Sequence, residues 1–165
     1  MSLLLVGASP RTFTDFQPHR HDCWKIILNT AGEGVMTLGE SEYSFAPGTV
    51  CVLPPRVLHS KRAEGRFRDI YLHTDLPLGF SSPAVFADDS ARTLEGVMRV
   101  LLSRYLADPR PDDITEALFS AVLSFLKNEQ RAEPGDPVVN SVIRAITASY
   151  NDPEFQVTSA LTATG

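Results

Sequence analysis

Two histidines one residue apart, in the stretch QPHRHDCWKIILNTAGEG of residues 17–34, are the first groups in this chain equipped to do chemistry. They open an apolar run of strand length that a glycine-rich turn closes. A β-strand alternates its faces with a period of two, so His19, His21 and Lys25 are expected on one side of it. Two imidazoles so placed are half of a metal site, or half of a site in which another group has replaced the metal. Lys25 favours the second kind, because a protonated amine has no lone pair to donate and repels a divalent cation. The bland alternative is a pair of strand-end histidines satisfied by water and backbone carbonyls. Cys23 shares their parity, but reads more readily as a small buried hydrophobe than as a pocket group. Arg56, Lys61, Arg62, Arg66 and Arg68 could draw an anion to a pocket rim; a solvated loop and outward strand face is the expectation.

The elements that must hold these groups follow from periodicity. From Ser2 to about Thr74 the chain is a series of short runs punctuated by glycine and proline: WKIILNT, GVMTLG, YSFAPG, TVCVLPP and RFRDIYLH. Most are rich in β-branched or aromatic residues, and the opening MSLLLVGASP reads as a first strand. Close strand spacing with short turns predicts a β-sandwich or barrel. Residues 74–90 have no period and are expected to form a surface loop. After Ser90 the period becomes 3.6: Leu94, Val97, Met98, Leu101, Leu102 and Tyr105 form one apolar stripe. A second helix starts at PDDI, with Asp112 or Asp113 as its cap, and carries Ile114, Leu118, Ala121, Val122 and Phe125. Phe119, Leu123 and Leu126 widen that face, so this helix should be contacted on two sides. The run EQRAEPGDP reads as a linker, and a third helix follows through Val139, Val142, Ile143, Ile146 and Tyr150.

Composition bounds the functions available. With 165 residues, 43% of them hydrophobic, the chain can bury one sizeable core. A net charge of -5 removes the electrostatic case for nucleic-acid binding by the chain as a whole. Two cysteines make no disulfide framework, and no run is long enough to span a membrane, so a cytoplasmic protein is expected.

The histidines find a context thirty residues on. In PGTVCVLPPRVLHS, Gly48 precedes Pro54 by five intervening residues, and His59 follows that proline at the fifth position. With His19, His21 and Gly32, these residues resemble the two sequence motifs of the cupin superfamily over roughly residues 10–74. The resemblance implies a double-stranded β-helix barrel, followed here by amphipathic helices, with His19, His21 and His59 meeting inside it. Lys25 stands where the first motif has its glutamate, and Arg56 where the second has a glycine, which suggests a differently shaped turn. The implied pocket is His19, His21, Lys25 and His59. A zinc or nickel ion on the three histidines requires Lys25 to swing away or lose its proton, so no cofactor is firmly expected.

The tail DPVVNSVIRAITASYNDPEFQVTSALTATG is similar to the opening of an AraC-type DNA-binding domain, with Ile143, Ile146, Tyr150, Asp152, Pro153, Phe155, Val157 and Gly165 at matching positions. Ala160-Leu161 replaces the usual Leu-Ala pair. Barrel, helices, linker and helix-turn-helix in this order resemble the AraC-type transcription regulators. What that implies is a sensor barrel at 1–90, helices at 91–130, a linker at 131–137 and an incomplete helix-turn-helix domain at 138–165. The barrel would bind a small effector, the helices would form a homodimer, and DNA would be read only through a C-terminal part largely absent here. The expected seam is Leu94, Val97, Leu101, Leu102, Tyr105 and Phe119, although the 94–105 stripe is more simply the core side of a helix on the barrel. The chain is not expected to be an enzyme; the alternatives are a metal-dependent cupin dioxygenase or isomerase and a stand-alone binding cupin.

Overall fold

The computed structural model describes residues 3–10 and 13–131. The expected linker, third helix and helix-turn-helix segment beyond residue 131 lie outside the described residues. The strands are β1 (Leu3–Ala8), β2 (Asp15–His19), β3 (Trp24–Ala31), β4 (Gly34–Leu38), β5 (Ser41–Phe45), β6 (Thr49–Leu53), β7 (His59–Ala63), β8 (Arg68–Thr74) and β9 (Ala84–Ala87). Helices α1 (Thr93–Ala107) and α2 (Asp113–Arg131) follow. One sheet has the order β1-β8-β3-β6-β9 and the other β2-β7-β4-β5, with antiparallel pairing throughout. This is a cupin-type barrel of two facing antiparallel sheets, with helices after it. The stretch 74–90, expected as loop, includes β9, which pairs with β6 through Val85 opposite Cys51. Its short apolar AVFA sits between turn residues, and only the partner strand makes it a strand.

Alternation along the strands divides the core in two. On β3, Ile26 and Leu28 face outward with Val50 and Val52 of β6 and Ile70 and Leu72 of β8. Against this face lie Leu94, Met98 and Leu101 of α1 and Phe119, Val122 and Leu126 of α2. Each fully buried side chain of this kind contributes roughly 2 kcal/mol. The opposite faces, with Met36, Leu38, Phe45, Cys51, Leu53 and Phe67, fill the barrel interior. Barrel and helices form one compact unit, Met1–Glu129. Both cysteines are free.

Three of the six expected seam residues, Leu94, Leu101 and Phe119, are therefore core of their own chain; Leu101 is 0% exposed. The stripe buries itself on the sheet because the outer face of β3, β6 and β8 is itself apolar and must be covered. Val97, Leu102 and Tyr105 are partly buried at its margin. The exposed apolar positions of the helices are instead Val100, Leu106 and Ile114, at 50%, 71% and 53%.

Caps fix where the helices begin. Asp88 accepts from the backbone N–H groups of Leu94 and Glu95 at 3.0 and 2.9 Å, and Asp89 from that of Thr93 at 2.9 Å. Of the two candidates at α2, Asp112 is the cap, accepting from both the backbone and the hydroxyl of Thr115. The motif glycine Gly48 has φ +92, and a Cβ there would run into the Arg92 guanidinium. It thereby joins the β5–β6 turn to the start of α1, for Asp88 N–H also donates to the Gly48 carbonyl at 2.8 Å.

Candidate functional site

His19 and His21 do not share a strand: β2 ends at His19, and His21 lies in the connection to β3. Two other features bring them together. His19 is the registered cross-strand partner of His59 in the β2–β7 pair, and the Arg56 N–H donates to the His21 carbonyl at 2.7 Å. Arg56, at the position where the resembled motif has glycine, has φ 67, a left-handed conformation. That conformation costs roughly 1–2 kcal/mol for a residue with a Cβ. The Arg56 backbone bond and an exposed 3.2 Å ion pair with Asp22 accompany it. The second motif's turn is thus tied to the histidine of the first.

The imidazoles of His19 and His59 lie 4.2 Å apart by ring centroid, those of His19 and His21 5.0 Å, and those of His21 and His59 5.3 Å. Nδ1 of His19 meets the Gln17 carbonyl at 2.7 Å, and Nδ1 of His59 meets the Val57 carbonyl at 3.0 Å. A carbonyl can only accept, so both rings carry a proton on Nδ1, which in the neutral ring leaves Nε2 bare. Nitrogens of His19, His21 and His59 lie within 4.8 Å of one another, a spacing that suits a cation. Lys25 does not suit one. Its Nζ lies 3.3 Å from His21 Nε2 and 3.4 Å from His59 Nε2, so an ammonium competes with a cation for these nitrogens. No described carboxylate forms an ion pair with Lys25.

A fourth histidine completes the cluster. His73 is the cross-strand partner of Lys25, its ring is 4.6 Å from that of His21, and its Nε2 is buried with no hydrogen-bond partner. Tyr71, two residues earlier on β8, faces the same space, with Lys25 Nζ 5.3 Å from its ring centroid. Burial pushes His59 down to about 3 and His21 and His73 to about 4, with the Lys25 charge adding to each. Burial also pushes the Lys25 ammonium below the ordinary lysine range, against the pull of Asp69.

These groups stand at one end of a cavity of about 320 Å³ inside the barrel, walled by Phe16, Ile27, Met36 and Leu38. Lys61 and Asp69 line it too. Lys61, expected in a solvated basic cluster, is only 7% exposed, because it follows His59 by two along β7 and so shares its inward face. Arg56, Arg62 and Arg66 are exposed. Lys61 Nζ bonds Asn29 Oδ1 and, at 2.9 Å, Asp69 Oδ2, between the rings of Phe45 and Phe67. The sequence reading missed His73, Tyr71, Asp69 and the inward Lys61. The available signal was period two: residues 69, 71 and 73 alternate inward along RDIYLHT, as 59 and 61 do along HSKRA. Cys23 is half-buried and does not line the cavity.

Fold and cavity define a class: a cupin-type barrel with a partly polar interior cavity and two helices on its outer face. The chain belongs to the family of AraC-like ligand binding domains, whose family model matches residues 8–137. No curated protein matches its sequence. Among solved structures it is similar to an apo variant of ToxT from Vibrio cholerae, at TM-score 0.59 and 11% identity over 99% of this chain and 70% of that one. The unsaturated fatty acid-bound wild-type ToxT gives 0.55 and 11% over 98% and 68%. KdgF from Halomonas sp. is 22% identical over 40% of this chain, with TM-score 0.36; the match spans 62% of KdgF, less than two thirds of its length. At these identities the likeness concerns the fold. Among the described residues no helix is long and apolar enough to cross a membrane.

Proposed function

We propose that the barrel is the effector-sensing part of an AraC-type transcription regulator, whose occupancy controls DNA binding by a C-terminal helix-turn-helix domain. One observation carries this reading: Lys25 sits in the cavity between two neutral imidazoles, with no carboxylate partner among the described residues. An effector bearing a carboxylate or hydroxyl would answer that charge and the orphaned His73 Nε2 together. The pocket is assigned to His19, His21, Lys25 and His59, with His73 added. The fatty acid held by ToxT is a precedent for an acidic ligand in this fold. We further assign a homodimer to the exposed side of α1 and α2, supported by Val100, Leu106 and Ile114. The domain boundaries stay as read from the sequence.

The competing reading is a metal-dependent cupin enzyme on His19, His21 and His59. A bound zinc or nickel ion would act as a Lewis acid there, and the three bare nitrogens fit that role. The adjoining ammonium opposes it. Metal content and affinity of the native chain and of Lys25→Glu, with a turnover screen alongside, test the choice. Restoring a carboxylate is expected to create or greatly strengthen zinc or nickel binding. Stoichiometric metal in the native protein, with no gain in Lys25→Glu, would overturn this placement of Lys25.

A further inference from the structure

We infer that the effector is a hydroxylated acid: a carboxylate at one end, an apolar or aromatic body, and a hydroxyl that donates to Asp69 at the other. This rests on the barrel being an effector pocket, and it comes from a second polar end of the cavity that the histidine motifs do not predict.

The two ends differ in charge. At the first, Lys25 stands among imidazoles with no described carboxylate in ion-pair contact, Asp69 acting on it only from farther off, so the end accepts an anion. At the second, Lys61 and Asp69 already pair at 2.9 Å, so the end carries no net charge and has no call for an ion. Its surroundings hold it from outside the cavity. Asn29 Nδ2–H donates to the Thr49 carbonyl at 2.9 Å, the Asp69 N–H donates to Ser9 Oγ at 2.9 Å, and two phenyl rings flank Lys61 Nζ at 4.2 and 4.3 Å. The pair uses one carboxylate oxygen, Oδ2. Among the described residues Asp69 Oδ1 receives no hydrogen bond, although Asp69 is only 4% exposed. A carboxylate oxygen that faces the cavity without a protein donor is open to a donor on a ligand. A hydroxyl supplies one. A ketone or ether offers only lone pairs, and a second carboxylate would meet Asp69 as a like charge.

Spacing sets the length. Lys25 and Asn29 both face inward from β3, four positions apart, which is about 14 Å of backbone at ~3.4 Å per residue. Their side chains converge from those points, with Phe16, Ile27, Met36 and Leu38 between. The apolar side chains between the two ends suit an apolar or aromatic body.

The test is calorimetry on the 165-residue chain with para-hydroxyphenylacetate, phenylacetate, the neutral alcohol para-hydroxyphenylethanol and palmitoleate. The hydroxy acid is expected to bind at least about tenfold tighter than phenylacetate and than the alcohol, because each analogue leaves one buried end unanswered. Lys25→Met should erase the preference over the alcohol and keep the preference over phenylacetate. The double variant Lys61→Met, Asp69→Leu should do the reverse, since replacing both partners leaves no lone charge behind. The ratio on the native chain decides the matter even if the double variant does not fold. Equal or tighter binding of phenylacetate or palmitoleate, still lost in Lys25→Met, would overturn the hydroxylated class while the effector pocket stands. Failure of every acid to bind, or binding indifferent to both Lys25→Met and the cavity-filling Leu38→Trp, would overturn the pocket reading with it.

Discussion

Three imidazoles, His21, His59 and His73, share one cavity end with an ammonium, and their protonation is coupled to folding. His21 and His73 are lowered from 6.5 to about 4, and His59 to about 3, each first by burial and then by the positive groups facing it: Lys25, His19 and one another. Below pH 6.5 the unfolded chain takes up protons on these rings that the folded chain refuses, so acid favours unfolding. Their contribution is therefore fully present above pH 6.5 and is lost as the pH falls through about 4 to 3. The cap carboxylate of Asp112, lowered from 3.8 to about 2, acts in a separate window below pH 3.8. Thermal melts between pH 7.5 and 4 should show a level Tm down to about 6.5 and a steady fall beneath it. His73→Gln should flatten part of that fall. A Tm independent of pH across this range would show that the rings are solvated and ordinary.

At the scale of elements, one helix carries two kinds of apolar residue. Leu101 is fully buried on the sheet, whereas its neighbour Val100 is half exposed. Leu101→Glu places a carboxylate in the core cluster of Ile26, Leu72 and their neighbours and should cost more than about 3 kcal/mol, a large share of the stability of a domain this size. Val100→Glu and Ile114→Glu touch only the outer face, so they should fold with near-native stability and convert a dimer to monomers. Denaturant curves and sedimentation read the two effects separately. A folded Leu101→Glu with native stability would contradict its place in the core, and an unchanged dimer from both outer substitutions would remove the helix pairing.

Charge governs the molecule as a whole. At -5 overall, with the resemblance at residues 138–165 reaching only the opening of a helix-turn-helix domain, this chain has little with which to hold a phosphate backbone. Only weak, salt-sensitive association with DNA is expected of it. Fluorescence anisotropy on a range of duplexes at physiological salt is the check; submicromolar, sequence-selective binding would mean that the tail has been misread. The family assignment requires only the sensor half, whose model spans residues 8–137.

Much of this architecture is local and so is written in the chain. Period two, turn glycines and capping aspartates act within a few residues of one another, which is why most strands and the two helices are legible before folding. His19, His21, Lys25 and His59 are grouped by the motif resemblance and not by a shared strand. What required the tertiary structure depends on register between distant strands. His73 meets Lys25 because β8 pairs with β3 in one alignment, and Lys61 finds Asp69 because β7 and β8 face each other across the interior. Residues 84–87 become a strand only beside β6. The stripe on α1 shows that one side must be covered, and cannot say by what; the apolar outer face of β3, β6 and β8 decides that Leu94, Leu101 and Phe119 are covered by their own chain. Helix periodicity specifies a face, and only packing specifies its partner.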